Sequence, residues 1–413
     1  GYLSVHRPGL IKMPWLDTLD YYLSHKLHFL MLQITQKCNF RCKYCHFSGE
    51  ESGYHSHNFS SINWDTAKKA IDFFGARCRD AKDISVIFYG GEPLLEKSLL
   101  HKCIEYCNDM FEGKNLNYHL TTNAELLDVA TAQYLIDNNV KITVSLDGPK
   151  DIHNRNRKHA SDGSGTFDIV YENLVRIKQQ IPDYYRKINF NSVLDPAIDC
   201  SPVDDFFSGE IFGNAIIQTN IMSPPDGKKL YLSDEFLEAE KRDKLLFLMV
   251  RSGMLKESQI PIIARNYFSD FYEFESKFKK KHKLPDITSH TGSCKPGYNK
   301  LFVSTSGKFY ICEKARDDSA ALCLGSLEEG FNIDKIKEIC DFICRDKCKN
   351  CWNIRNCNVC PMMIDDGNKL STELFNTACS NSRRKTEDNF MDLIALTEAA
   401  SIIKRREEVR YAN

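Results

Sequence analysis

Cys38-Asn39-Phe40-Arg41-Cys42-Lys43-Tyr44-Cys45 places three cysteines within eight residues, directly after the apolar stretch Leu27–Thr35. Three thiolates at this spacing can each take one iron of a cubane cluster, and no fourth cysteine follows closely enough to complete the set. An iron-sulfur cubane normally takes four cysteine thiolates, so one iron is left open for a ligand from outside the chain. A structural zinc site is the alternative, but zinc usually closes its sites with paired CxxC units in sets of four.

The remaining composition agrees with a large globular chain of the cell interior. A chain of 413 residues with 42% hydrophobic content can bury a sizeable core and is long enough for two domains. A net charge of −1 gives no global electrostatic case for nucleic acid or membrane as a partner. The basic run Phe278–Lys283 reads as a solvated helix end, with a docking patch for an acidic peptide as the other reading. No signal peptide and no apolar run of about 18 residues is present, which argues against secretion and against a disulfide framework for the 17 cysteines. Reduced cytoplasmic thiols that hold clusters fit better. Cys78, Cys103, Cys107 and Cys200 lie outside the motifs and read as small core residues.

From Leu27 onward, short apolar runs alternate with amphipathic stretches. Strands are expected near 28–35, 84–89, 117–121, 141–146, 188–194 and 214–220, and helices near 64–78, 96–112, 125–138, 166–181 and 199–208. This repetition implies a parallel sheet, and active sites in βα barrels gather in the loops after strands, where the first cysteines fall. After the second strand comes Tyr89-Gly90-Gly91-Glu92-Pro93. Two glycines permit close backbone approach, Glu92 can accept from an ammonium, and Pro93 stiffens the turn. Thr121-Thr122-Asn123 ends the third strand and Ser145-Leu146-Asp147-Gly148-Pro149 the fourth, so their polar ends face one barrel mouth. Ser145 and Asp147 also suit plain turn and cap chemistry.

These motifs together resemble the radical S-adenosylmethionine (SAM) superfamily, over roughly residues 28–380. The resemblance implies a partial (β/α)6 barrel, with SAM chelating the open iron and yielding a 5′-deoxyadenosyl radical. It implies that Gly90, Gly91, Glu92 and Pro93 receive the SAM amino group. Asn123, Ser145 and Asp147 would meet the ribose and carboxylate, Arg157 would contact SAM, and Tyr44 would lie against adenine. Asn191, on the fifth strand, is a further candidate. The run from His153 to Phe167 resembles the peptide-modifying branch.

Downstream lies a second cysteine field: Cys294, then Cys312 closing Gly307-Lys-Phe-Tyr-Ile-Cys312, then Cys348, Cys351, Cys357, Cys360 and Cys379. Seven cysteines in this order resemble the SPASM extension, which carries two auxiliary 4Fe-4S clusters. A zinc ribbon at Cys348, Cys351, Cys357 and Cys360 is the alternative, and it leaves the GxxxxC element and Cys379 unexplained. By resemblance, Cys348, Cys351, Cys357 and Cys379 close one cluster, while Cys294, Cys312 and Cys360 begin the other. Cys357 and Cys360 are one residue closer than the usual family spacing. The first site also has no obvious fourth ligand, so either Cys323, Cys340 or Cys344 fills in or an iron stays open to a substrate thiolate. Glu313 occupies the place where sulfatase maturases carry an aspartate base.

The expected organisation is a capping segment over 1–26, the barrel over 27–221, a helical bridge over 222–290 jointed at Pro261 and Pro285, a SPASM domain over 291–380 and a charged amphipathic helix over 381–413. Gly1 in place of an initiator methionine suggests a processed or trimmed chain, and the residues ahead of Cys38 are too few for the winged-helix leader-recognition domain of related families. The expected activity is a peptide maturase that forms a cysteine thioether, with SAM and three 4Fe-4S clusters as cofactors. Its partners would be a cysteine-containing peptide, a flavodoxin or ferredoxin as electron donor, and a separate leader-recognition protein or else direct recognition by barrel and bridge. Formylglycine formation, carbon-carbon crosslinking and epimerisation are alternatives, and an iron-sulfur redox protein is the non-enzymatic one.

Overall fold

The computed structural model describes residues 6–45, 57–185, 187–222, 231–279, 283–290 and 294–411. Six strands run parallel and in chain order: β1 (Phe29–Thr35), β2 (Asp83–Gly90), β3 (Asn115–Thr122), β4 (Val140–Ser145), β5 (Asn189–Leu194) and β6 (Ile217–Ile221). The crossovers between them carry α1 (Trp64–Gly75), α2 (Lys97–Met110), α3 (Val129–Asp137), α4 (Lys150–Asn156), α5 (Phe167–Gln180) and α6 (Ser201–Phe207). The longer crossover helices α1, α2 and α5 pack an apolar face on the strands. In α1, for instance, Ala67, Ala70, Ile71 and Phe74 face inward, and Asn63 caps the first turn by accepting from the Thr66 amide at 2.8 Å. This is the parallel α/β architecture expected from the sequence.

Two features were not expected. The sequence predicts no helix between the fourth strand and residue 166, yet Lys150–Asn156 forms one, started by the extended Pro149 with Asp151 in its first turn. The cysteine-rich region also continues the barrel sheet. Strand β7 (Lys300–Val303) pairs in parallel with β1, in the register Leu32↔Val303, and β8 (Lys308–Tyr310), β9 (Cys323–Ser326) and β10 (Gly330–Phe331) follow in antiparallel order. With β2 on one side and β7 on the other, β1 is buried along nearly its whole length.

The bridge consists of α7 (Asp234–Arg251) and α8 (Ile262–Lys279), whose packing against the final helix is centred on Phe247, Phe271, Phe274 and Leu396. Further on come α9 (Ile333–Ile343) and α10 (Thr372–Tyr411). The helix Leu19–His25 covers the barrel end opposite the mouth: the His25 carbonyl accepts from the Asp80 amide, and the Leu27 amide donates to the Arg77 carbonyl, both just ahead of β2. Tyr22 stacks on Tyr298 at 4.0 Å between ring centres. The turn at Ser223–Gly227, most of the 278–283 basic run and the side chains of Ile402 and Ile403 lie outside the described residues. Among the described residues no helix is long and apolar enough to cross a membrane.

Candidate active site

A cavity of about 460 Å³ opens where β1 to β6 end. Cys38, Cys42 and Cys45 stand in its wall, held by the loop after β1. That loop is fastened from two sides. The Arg41 and Lys43 amides donate to the carbonyls of Lys158 and Asn156, and the Glu92 amide donates to the Lys37 carbonyl at 2.9 Å. The two glycines of the second motif serve this contact: an ideal Cβ on Gly90 would stand 2.1 Å from the Thr35 carbonyl oxygen, and one on Gly91 2.1 Å from that of Lys37. The close approach expected at Gly90-Gly91 is therefore made to the cysteine loop's own backbone.

The donor set suits anionic sulfur. The Phe40 amide donates to Cys38 Sγ at 3.4 Å, and Arg157 Nη1 reaches Cys42 Sγ at 3.8 Å. Burial pushes the Cys42 thiol up to about 12, partly opposed by Arg157, so metal coordination itself must draw out the thiolate. Arg157 is buried, and burial alone would weaken its charge, but Asp147, Tyr44 and Cys42 hold it firmly protonated. Its Nε lies 3.0 Å from Asp147 Oδ2, and the Tyr44 hydroxyl donates to the same carboxylate at 2.5 Å. Asp147 is held in turn by the Val193 amide on Oδ1.

Not every expected cofactor contact reaches the cavity. Gly90, Gly91, Glu92, Asn123, Ser145, Asn191, Arg157 and Tyr44 line it, whereas Asp147 and Pro93 are buried behind the wall. The sequence cannot separate these cases, because Asp147 and Pro93 lie beyond the strand ends, where tertiary contacts rather than strand alternation set the side-chain direction. Glu92 accepts from the Leu94 amide at 3.0 Å, the Thr122 hydroxyl at 2.8 Å and the Asn123 amide at 2.7 Å. Burial nevertheless pushes its carboxyl up to about 7 against those three bonds. A carboxylate so poised favours a cationic ligand.

Phe40, Tyr89, Gln218, Asn220 and Lys314 also line the cavity and were not singled out from sequence. The polar pair Gln218 and Asn220, spaced by two in the short strand β6, was the available signal for an inward face. Asn220 donates to Asn191 Oδ1 at 3.0 Å. Gln33 is wholly buried within β1 and accepts from the Thr305 amide at 3.0 Å, while Gln36 donates to Asp317. These bonds tie the cysteine loop's base to the segment around Cys312.

The second cysteine field divides into two groups. Cys357 is influenced by Cys379, Cys351 and Cys348, whereas Cys294 is influenced by Cys360 and Cys312. Of the three cysteines considered as a further ligand, Cys340 feels Cys344 and then Cys294, Cys344 feels Cys348 and Cys357, and Cys323 turns to the Gly325 carbonyl. Among the described residues no three metal-binding side chains converge on a single-ion site, whereas a cubane takes one thiolate per iron. Glu313 and Lys314, directly after Cys312, line the cavity. Glu313 is paired with Lys300 at 2.6 Å; burial would raise its carboxyl, but Lys300 holds it below the ordinary value.

A parallel βα barrel whose mouth carries three thiols in one cavity wall beside a buried carboxylate turn is the arrangement expected of an iron-sulfur enzyme of the SAM-cleaving class. The Radical SAM superfamily profile matches residues 32–197. An uncharacterized protein of Methanocaldococcus jannaschii is 30% identical over 305 residues, covering 74% of this chain and 90% of that one. The radical SAM cyclopropyl synthase TigE of Paramaledivibacter caminithermalis is 27% identical over 192 residues, 44% of this chain and 37% of its own. The cysteine-type anaerobic sulfatase-maturating enzyme of Clostridium perfringens is 28% identical over 150 residues, 35% of this chain and 39% of its own. The match therefore spans less than half the length of each of these two enzymes. In fold, the chain is similar to anSMEcpe solved with bound AdoMet and the Cp18Cys peptide, with a TM-score of 0.65 at 22% identity over 91% of this chain and 99% of that one. The chain belongs to the radical SAM superfamily and is an enzyme of the radical SAM type, for which SAM and a 4Fe-4S cluster are the implied cofactors.

Proposed function

We propose that this enzyme matures a ribosomally made peptide, joining a cysteine sulfur to a carbon of an acceptor residue as a thioether. The observation that carries the reading is a shared chamber: the thiols Cys38, Cys42 and Cys45 and the ionic residues Glu313 and Lys314, adjacent to Cys312, face one cavity of about 460 Å³. Such a chamber holds SAM and still leaves a peptide side chain beside the auxiliary cysteines.

When bound, the cluster and SAM supply a 5′-deoxyadenosyl radical; the protein supplies position and electrostatics. Cys38, Cys42 and Cys45 hold the cluster, and Arg157 offsets thiolate charge. Glu92 receives the SAM ammonium, and Asn123, Ser145 and Asn191 meet its polar atoms. Tyr44 offers its ring to adenine while Asp147 fixes both Tyr44 and Arg157 from behind. Thioether formation removes two hydrogens from the peptide: one leaves as an atom into 5′-deoxyadenosine, and the thiol loses its proton. An auxiliary 4Fe-4S cluster held by the downstream cysteines would take up the one surplus electron. Two such clusters are assigned, one to Cys348, Cys351, Cys357 and Cys379 and one to Cys294, Cys312 and Cys360. Glu313, ionised beside Lys300, takes the thiol proton in this reading, which its position on the cavity wall supports. A flavodoxin or ferredoxin supplies the initiating electron, and leader recognition falls to a separate protein or to the barrel and bridge.

The relatives named as sulfatase-maturating enzymes favour formylglycine formation as the second reading. One anaerobic experiment separates the two: reconstituted enzyme, reductant, SAM and cysteine-containing peptides, with 5′-deoxyadenosine and peptide mass read together. Loss of two hydrogens and of one free thiol supports the thioether. Replacement of the cysteine sulfur by oxygen with two hydrogens lost selects formylglycine, and 5′-deoxyadenosine without any peptide change refutes both for the peptides tried.

A further inference from the structure

A second cavity, also about 460 Å³, lies between the barrel edge and the helical bridge. It shares Gln218, Asn220 and Ile221 of β6 with the candidate active site, so that strand is a wall common to both. The opposite wall is one face of α7: Phe236, Ala239, Glu240 and Asp243 recur at helical spacing, and all four line the space. Ile263 and Ala264, at the start of α8, close the end.

Two carboxylates, Glu240 and Asp243, and two cations, Arg242 and Lys244, line it, and both cations are engaged by carboxylates. Lys244 is drawn away to Asp392 at 2.5 Å, and Arg242 is 3.5 Å from Asp243. Among the described residues Glu240 has no ion-pair partner. A third carboxylate, Asp204, stands just behind and accepts from the Ile263 amide at 2.9 Å. Asp243 is only 8% exposed, and burial pushes its carboxyl up to about 6 in spite of Arg242. Apolar walls with carboxylates at one side suit a side chain with a long aliphatic stem and a cationic head.

Resting on the maturase reading above, we infer that this cavity seats a lysine or arginine side chain of the substrate peptide, near in sequence to the residue modified in the first cavity. The stem lies against Phe236 and Ile263, and the head meets Glu240 and Asp243. The bridge thereby selects the substrate, while the barrel carries out the chemistry.

The test uses the reconstituted enzyme with SAM and fluorescein-labelled twelve-residue peptides centred on one cysteine. One position, two to five residues from the cysteine, is Lys, Leu or Glu, and binding is read by anisotropy. The Lys peptide at the matching offset is expected to bind about tenfold more tightly than its Glu counterpart. Glu240→Lys should erase or invert that ratio, and Ala239→Trp, which fills the cavity, should weaken the Lys peptide to the level of the Leu peptide. Iron content and circular dichroism establish that each variant is folded. An unchanged Lys-to-Glu ratio in Glu240→Lys overturns the inference, as does a preference for Leu over Lys in the wild type. If none of the peptides binds the wild type, the maturase reading fails first and the inference with it; binding without charge preference removes the inference alone.

Discussion

Arg157 Nε lies 3.0 Å from Asp147 Oδ2 inside the barrel wall, and both residues are almost wholly buried. The pair stands at the junction of the cysteine loop and the fourth strand end, since the guanidinium also reaches Cys42 Sγ and the carboxylate also accepts from Tyr44. Asp147 thus acts on the cavity through Arg157 and Tyr44.

Removing the carboxylate charge leaves a buried cation whose compensation is incomplete. Asp147→Asn should lower the stability of the cluster-free protein by about 3 kcal/mol. Anaerobic urea unfolding reads this directly; an unshifted midpoint at constant slope would show that Arg157 is compensated elsewhere.

Gly91→Ala puts a methyl group into the Lys37 carbonyl, which is backbone and cannot step aside cheaply. Cluster reconstitution at Cys38, Cys42 and Cys45 should fail or fall sharply, read as iron content and the charge-transfer absorbance. Gly113→Ala, which meets nothing within 4 Å but lies at a φ of +83°, is the control for backbone strain without a clash, away from the site.

Glu92 gives a pH signature. Its carboxyl is raised to about 7 in the folded chain from an ordinary 4.5, so the folded state holds this proton more tightly than the unfolded one. Its stabilising contribution is complete below about pH 4.5 and is lost as pH rises through 7, on the order of 3 kcal/mol in all. Glu92→Gln should remove this part of the decline between pH 4.5 and 7.5. Parallel stability curves for the two proteins would contradict the burial argument.

Glu313→Gln removes the assigned proton acceptor and leaves Lys300 without its 2.6 Å partner. Peptide product should fall by about 10²-fold or more, while 5′-deoxyadenosine continues to form. A normal rate of peptide turnover dismisses the role.

The two cysteine fields should separate by function. Alanine at Cys38, Cys42 or Cys45 should abolish 5′-deoxyadenosine formation, whereas alanine at Cys351 or Cys357 should remove peptide product and preserve SAM cleavage. Retained cleavage in a Cys42→Ala enzyme would mean that the radical cluster lies elsewhere.

Much of the barrel was legible because its signals are local. The apolar run ahead of Cys38, the strand-helix periodicity and the glycine pair after the second strand each follow from residues close in sequence, and the observed strand boundaries differ from the expected ones by at most about three residues. Helix α4 was missed because a stretch of seven residues rich in Asn, His and Arg has no strong apolar period, and its start depends on Pro149. Gln33 was passed over for the opposite reason: a single glutamine in an apolar strand acquires a purpose only when the Thr305 amide, far along the chain, arrives beside it.

The sequence by itself determined the chemistry on offer: three clustered thiols with one iron position left over, a carboxylate behind two glycines, and the seven motif cysteines from Cys294 to Cys379. Those properties depend on covalent spacing, and folding does not change them. Only the tertiary structure decided which groups meet. Pairing of β7 with β1 brings Glu313 and Lys314 to the same cavity as Cys45, and the bridge helices create a second cavity behind β6 in which Glu240 stands without an ion-pair partner among the described residues. Contacts of this range are set by sheet register and helix packing, which sum weak preferences over the whole chain and leave no local mark on the residues they unite.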